Sequence, residues 1–465
     1  MAFRGNVILM IYLLYNILFT FFLIFAAPYF LLRALIDGRF RRELIQRMGF
    51  FPNLSVQRPI WVHAASVGEV FCCIPLLKRI KQDFPRSEIV MTTMTRTGHE
   101  AAKTQIPEAD AVIFFPIDHP LTIRRSIARI KPSLLLIAET ELWPNLLRSC
   151  GEKGIPIVLF NGRISQKSFR RYLFLKSFFK GCLKSVSAFL MQTEEDRNRI
   201  VEIGASLENT RVVGNLKFDQ TFPTVTQEGA AQTAKSFGYR GNEKILIAGS
   251  THAGEEEILL SLFKDLRKID PHLIFLLAPR HLDRLGEVER ILDRESIPWR
   301  KRTWFTPLES STIHGGVKAP SLLTGFARNQ DLTHREKNEH PWVILLDTMG
   351  ELMSLYSLGT LVFVGGSLVP VGGHNPLEPL FFKKCVLFGP YMFHFSEISR
   401  SLTEAGGAIQ VTGREDLFLH LKRLLSDERA RKEMGKKGFQ FLLKHQGATE
   451  RVFKEIRPFL SRIQS

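Results

Sequence analysis

The chain has 465 residues, 45% of them hydrophobic and 23% charged, a balance that excludes a disordered protein and leaves room for two or three domains. Its 63 Lys and Arg against 46 Asp and Glu give a net charge of +17, which suits anionic partners, while the lack of C-x-x-C, zinc-finger and basic-zipper patterns argues against nucleic acid. The five cysteines (Cys72, Cys73, Cys150, Cys182 and Cys385) are scattered and odd in number, as in a reducing compartment rather than a disulfide framework.

No charged side chain occurs from Gly5 to Leu32, and the run "NVILMIYLLYNILFTFFLIF" is long enough to cross a bilayer. "FAAPYF" is a poor cleavage site, so residues 1–36 read as an uncleaved membrane anchor, with a helix lying in the interface as the alternative. Arg33, Arg39, Arg41, Arg42 and Arg47 follow the run and only Arg4 precedes it, which places the rest of the chain on the cytoplasmic side.

A β-α alternation then begins. Apolar, β-branched runs at 60–64, 88–92, 111–115, 133–138, 156–160 and 187–191 are separated by helical segments, the pattern of a parallel sheet covered on both faces. The first strand runs into "WVHAASVGEV", where Ser66 and Glu69 have the spacing of a capping box. Glu69 is therefore either a cap or a catalytic base, and a helix N-terminus would hold it ionised in both roles. "LLIAETELWPN" sets Glu139 and Glu141 at another strand end, and "GNLKFD" places Lys217 where the pattern lapses. Between them, "SFRRYLFLKSFFKGCLKSV" mixes aromatics with Arg170, Arg171, Lys176 and Lys180 and contains no acid. That composition suits either a helix at lipid headgroups or one packed on the sheet with a solvated basic face.

Residues 219–242 read as a hinge, after which strands recur near 244–248, 272–277, 342–346, 360–364, 385–388 and 408–411. Residues 306–341 are rich in Gly, Pro, Ser and charge and read as a surface excursion. A helical segment, 431–465, ends the chain and is expected to pack back on the first domain. The fold class is α/β, with two Rossmann-like doubly wound domains, 37–218 and 243–430, facing a cleft, and ligands at the carboxyl ends of their strands.

No P-loop occurs, and no G-x-G-x-x-G follows the first strand, which argues against an ATPase and a standard NAD enzyme. In "FVGGSLVPVGGHNPLEP" paired glycines lead to Asn375-Pro376, with Pro376 suited to the first helical position. This reads as a phosphate site of glycine backbone and helix N-terminus, with Glu378 placed to accept ribose hydroxyls. "LLAPRH" puts Arg280 just past a strand, where it suits phosphate, and "LLDTMGEL" puts Met349, Gly350 and Glu351 at another strand end.

The blocks "HAASVGEV", "AETELWPN", "GNLKFD", "STHAGEEE", "DTMGEL" and "FVGGSLVPVGGHNPLEP" together resemble the Kdo (3-deoxy-D-manno-octulosonic acid) transferases of lipopolysaccharide synthesis, glycosyltransferase family 30. The resemblance runs over nearly the whole chain. It implies a GT-B glycosyltransferase that transfers one or more Kdo units from CMP-Kdo to a lipid A precursor, lipid IVA, with inversion, at the cytoplasmic face of the inner membrane. Carried over residue by residue, Glu69 matches the proton acceptor, and Glu139 and Lys217 match groups that stabilise the transition state. Pro279, Arg280, Met349, Gly350, Glu351, Asn375, Pro376, Leu377 and Glu378 match the CMP contacts. No cofactor or metal is expected, the partners being donor, lipid acceptor and membrane lipids. Nothing carries over to 306–341, which is longer than the family's usual connection. The rivals are a GT-B transferase of another nucleotide sugar and a non-catalytic protein that holds anionic lipid.

Overall fold

A run such as Leu134–Ala138 has no polar face to leave in water, so it is stable only as a strand covered on both sides. The computed structural model describes residues 2–51, 54–220, 233–235, 237, 243–305 and 341–464. The chain divides into two compact units, Met1–Thr221 with His445–Ser465, and Phe222–Lys444. Most of the 219–242 segment, and all of the excursion but its last residue, lie outside the described residues.

In the first unit seven strands pair in parallel: β1 (Ile60–His63), β2 (Ile89–Thr93), β3 (Ala111–Phe114), β4 (Leu134–Ala138), β5 (Ile157–Gly162), β6 (Ala188–Met191) and β7 (Thr210–Val212). Their order is β3-β2-β1-β4-β5-β6-β7. The short edge strand β7, with Arg211 at its centre, carries too little apolar signal to stand out in the sequence. Successive residues of β1 face opposite ways, so Ile60 and Val62 enter one core layer and Trp61 the other.

The helices among the described residues that precede β7 are α1 (Ala2–Ile36), α2 (Gly38–Arg47), α3 (Val67–Asp83), α4 (Arg96–Gln105), α5 (Pro120–Ile130), α6 (Pro144–Glu152), α7 (Gln166–Phe174), α8 (Lys176–Leu183) and α9 (Glu194–Ile203). Within α1, Met10–Ile36 is long and apolar enough to cross a membrane. The basic aromatic stretch of 168–186 is two helices, α7 and α8, that meet at Leu175. Phe178 and Phe179 are core residues, so at those two positions the stretch follows the packed alternative and not the lipid one. Phe174 is 88% exposed, and Arg170, Arg171, Lys176 and Lys180 are exposed as well.

The second unit repeats the plan with β8 (Ile245–Thr251), β9 (Ile274–Pro279), β10 (Trp299–Lys301), β11 (Val343–Leu345), β12 (Leu361–Val364), β13 (Cys385–Phe388) and β14 (Ala408–Gln410). All are parallel, in the order β10-β11-β9-β8-β12-β13-β14. In the first sheet the strand order reverses between β1 and β4; in the second it reverses between β8 and β12, and the chain also doubles back at one edge, where β11 lies between β9 and β10. A crevice opens at the carboxyl ends of the strands at such a reversal.

The C-terminal segment expected as one helix is two, Glu428–His445 and Ala448–Gln464, parted at Gly447, whose φ is +91°. The last helix covers the Ile60 and Val62 face of the first sheet with Ala448, Val452, Phe453, Ile456 and Leu460. Its start is tied down by the final residue of "GNLKFD". Asp219 accepts hydrogen bonds from Gly447 N at 2.6 Å and Thr449 N at 2.5 Å, and Arg451 Nε donates to the Val213 carbonyl at 2.7 Å. Asp219→Ala removes both bonds at this helix start, and a lost cap costs about 0.5–2 kcal/mol. The first unit's urea midpoint should fall accordingly, and an unchanged midpoint would show that Asp219 does not hold the helix.

Candidate active site

The loop after β1 turns into α3 with Ser66 as N-cap and Glu69 one turn in. Ala65 N donates to Glu69 Oε2 at 2.7 Å and Ser66 Oγ to Glu69 Oε1 at 2.8 Å, so both carboxylate oxygens reach back to the loop. Only 7% of Glu69 is exposed. Burial and, after it, the Glu139 charge push its carboxyl up to about 7 against the pull of those two donors. The helix start therefore does not hold Glu69 firmly ionised: loss of solvent outweighs the favourable helix end, and the group titrates near neutrality.

Glu139 follows β4, the strand beside β1 at the reversal, and its φ of +55° is left-handed, a conformation that costs a non-glycine residue about 1–3 kcal/mol. Its N–H donates to the Phe160 carbonyl at 2.9 Å. Glu141 lies in the same cluster, with its carboxyl raised by burial and by Glu139. Lys217 sits on a short 3-10 turn, Leu216–Asp219, which begins at Asn215. Asn161 Oδ1 accepts from Leu216 N at 3.0 Å, and Asn215 donates to Gln192 at 2.8 Å, fixing the turn to β5 and to the end of β6. The charges of Lys217, Glu139 and Glu69 all act on the thiol of Cys72, which burial pushes up to about 12. All three thus lie close enough to α3 for their charges to reach Cys72. Asn161, Gln192 and Asn215 were not singled out from the sequence, since a buried amide carries no local pattern.

In the second unit Pro279 ends β9, and Arg280 follows with its N–H bonded to the Thr251 carbonyl at 2.9 Å. Its guanidinium lowers the Glu378 carboxyl, which burial nevertheless raises to about 7. Asn375 joins the two motif ends, accepting from Leu377 N at 3.1 Å and donating to Glu378 Oε1 at 3.3 Å. Pro376 is the N-cap rather than the first helical residue, and the helix it starts, Leu377–Phe381, has five residues. Met349 is exposed, Gly350 has φ +90°, and Glu351 is paired with the buried Arg302 at 2.9 Å. That turn offers a ligand its backbone rather than a free carboxylate.

The glycine loop after β12 differs from its reading as a phosphate cradle. Gly366 N, Ser367 N and Leu368 N donate to the buried Glu255 carboxylate at 2.6, 2.9 and 2.8 Å, and His252 N does so at 2.9 Å. The amides that follow the first glycine pair therefore hold a carboxylate of the fold and are not free for a phosphate. Gly366, with φ +66°, makes room for imidazoles instead: a Cβ there would lie 3.0 Å from His374 and 3.4 Å from His252. Those histidines are hydrogen-bonded through Nε2 atoms 2.8 Å apart, and burial with the neighbouring cations lowers His374 to about 3. "STHAGEEE" contains His252 and Glu255, but their partners lie more than a hundred residues away, so their roles were not readable. Among the described residues no three His, Cys, Asp or Glu form a group that could hold a metal ion.

A family model described as 3-deoxy-D-manno-octulosonic-acid transferase (kdotransferase) matches residues 42–220. The chain is 34% identical over 429 residues to a 3-deoxy-D-manno-octulosonic acid transferase of Haemophilus influenzae, a match covering 91% of this chain and 93% of that one. It is 28% identical over 459 residues to another from Chlamydophila psittaci, covering 96% and 97%. A solved UDP-GlcNAc 2-epimerase from Neisseria meningitidis, bound to UDP-GlcNAc, is similar with a TM-score of 0.56 at 13% identity, over 86% of this chain and 100% of that one. That likeness concerns the fold alone, the GT-B class of two Rossmann-like domains. With the sequence match extending nearly end to end, the chain belongs to the Kdo transferase family and is a glycosyltransferase of lipopolysaccharide biosynthesis.

Proposed function

We propose that the chain transfers Kdo from CMP-Kdo to lipid IVA with inversion, at the cytoplasmic face of the inner membrane, without a metal ion and with Glu69 as the base. The observation that carries the reading is the Glu69 carboxylate, buried at the strand-order reversal, held by two donors and titrating near 7. A carboxylate poised there takes a proton from a hydroxyl more readily than a surface glutamate of about 4.3. The acceptor hydroxyl oxygen bonds to the anomeric carbon while its proton passes to Glu69. The electron pair of the breaking C–O bond leaves with the phosphate of CMP. Glu139 and Lys217 stabilise the transition state through their charge, and Arg280 meets the charge that develops on the phosphate. The remaining CMP contacts are Pro279, the Met349–Glu351 turn and Asn375–Glu378, with Glu378 on the ribose. Support for these assignments is the match of motif positions, together with the placement of Glu139, Arg280 and the Met349–Glu351 turn just past strand ends. The net charge of +17 and the apolar α1 support a membrane-borne anionic acceptor.

Glu69→Gln should bind CMP as before and lose roughly 10²–10⁴ in turnover, the usual contribution of a general base. A variant that keeps more than about a tenth of the rate would reduce Glu69 to a helix cap. Because the base acts deprotonated and its folded pKa is raised, kcat/KM should climb about tenfold per pH unit below 7 and level off above it. An acid limb centred near 4.5 would assign the proton transfer to another group. Arg280→Ala and Glu378→Ala should each weaken CMP by about ten- to hundredfold, since bonds to charged groups contribute about 1.5–3 kcal/mol. Calorimetry showing unchanged CMP affinity in both, or equal competition by UDP, would overturn the donor assignment.

A further inference from the structure

In the uncharged run of α1 the polar side chains Tyr12, Tyr15, Asn16 and Thr20 fall at i, i+3, i+4 and i+8, one face of a helix. All four are tied to the first unit. The Tyr12 hydroxyl donates to the Pro144 carbonyl, and the Tyr15 hydroxyl to Asp118 Oδ2 at 3.2 Å. Asn145 Nδ2 donates to Asn16 Oδ1 at 2.8 Å, and Thr20 Oγ1 lies 3.3 Å from His119 Nε2. Asp118 is itself buried and accepts from Asn145 N at 3.0 Å and Leu146 N at 2.9 Å, so this anchorage is rigid. Tyr12 and Tyr15 also pack on Phe178 of α8, with ring centres 5.4 and 5.8 Å apart.

The far end of α1 returns to the same place. Asp37 separates α1 from α2 and caps α2 through Arg39 N and Phe40 N. Gln46 of α2 accepts from Phe114 N at 3.1 Å, and the Arg47 carbonyl accepts from Ile117 N at 2.8 Å. Residues 114–119 thus hold Tyr15 and Thr20 on one side of the excursion and Gln46 and Arg47 on the other. Between Thr20 and Asp37 lie 16 residues, Phe21–Ile36, about 24 Å of helix against a hydrocarbon core of about 30 Å. The return path, α2, carries Arg39, Arg41, Arg42 and Arg47 and cannot line hydrocarbon. The face of α1 turned away from the unit is apolar and open, with Leu14, Leu18, Phe22 and Phe25 all more than half exposed.

We propose that α1 does not cross the bilayer. Its Tyr12–Thr20 face is clamped to the first unit, its outer face is immersed in the acyl chains of one leaflet, and the chain enters and leaves the lipid on the same side. The occupant of the exposed face is lipid, because that face is continuous and the arginines that follow it suit anionic headgroups. The inference rests on the packing of the first unit and is independent of donor, acceptor and base.

The test uses the full chain in sealed phosphatidylethanolamine–phosphatidylglycerol vesicles. The five native cysteines are buried and leave the background low. Ala2→Cys is compared with Ser461→Cys, an exposed site on the last helix, using an impermeant maleimide. The thiol at position 2 should label to within twofold of the thiol at position 461, whereas labelling that waits for permeabilisation would show a crossing helix and overturn the proposal. A bimane on Phe25→Cys should be quenched by acyl-chain nitroxide lipids, and absence of quenching would assign the apolar face to another protein. Asn16→Cys with Asn145→Cys should be joined by a short bismaleimide in the membrane-bound enzyme. Failure to join, with both thiols labelled singly, would show that the clamp opens in lipid.

Discussion

A buried glutamate in the first turn of the helix after the first strand organises the loops of both units. Glu255 collects four backbone N–H groups, from His252, Gly366, Ser367 and Leu368, and so binds the loop after β8 to the loop after β12. Glu69 collects one N–H and one hydroxyl and lies beside Glu139. Burial raises both carboxyls, and backbone donors pull each back. Glu255 spends its oxygens on holding two loops together, whereas Glu69 has fewer donors and a like-charged neighbour, which leaves it titrating where a proton can be exchanged at neutral pH. One device therefore serves as a structural pin in one sheet and as a candidate base in the other.

The strand order explains why the important residues gather where they do. β1 and β4 are neighbours at the reversal in the first sheet, so the segments after them bring Glu69 and Glu139 together across 70 residues of sequence. β8 and β12 are neighbours at the reversal in the second, which places His252 against His374 and lets Glu255 reach the glycine loop. Arg280, after β9 on the other side of β8, acts on both His374 and Glu378. The parallel sheets supply positions and the loops supply chemistry, as in other doubly wound folds.

The apolar helix at the N-terminal end joins these themes to the membrane. Its polar residues lie on the face packed against the first unit, where Asp118 and Asn145 receive them, and its outer side is left for lipid. Tyr12 and Tyr15 share Phe178 with the core of that unit, so the helix is built into the domain rather than tethered to it. A lipid-borne acceptor would then meet an enzyme held at a fixed orientation to the surface, with less of its freedom left to lose on binding.

Much of the architecture follows from pattern alone. Apolar runs at 60–64, 88–92 and 133–138 can only be strands buried on both faces, and their alternation with amphipathic segments dictates two parallel sheets. Motif order likewise sufficed for the family, because six blocks of matching order and spacing do not arise by chance. The edge strands β7 and β10 were not legible, since three residues with a charge among them carry no periodic signal. Nor was the division of labour among the glycines, which depends on which distant side chain arrives: Glu255 takes the amides and His374 takes the space above Gly366. The ionisation of Glu69 is hidden from the sequence for the same reason, because desolvation and the Glu139 charge come from tertiary packing and outweigh the local helix end. Hydrophobicity and length allowed α1 to cross a membrane. Only the folded unit, with Asp118 and Asn145 waiting for Tyr15 and Asn16, decides where one face of that helix is held, because hydrogen bonds between segments a hundred residues apart leave no mark on local composition.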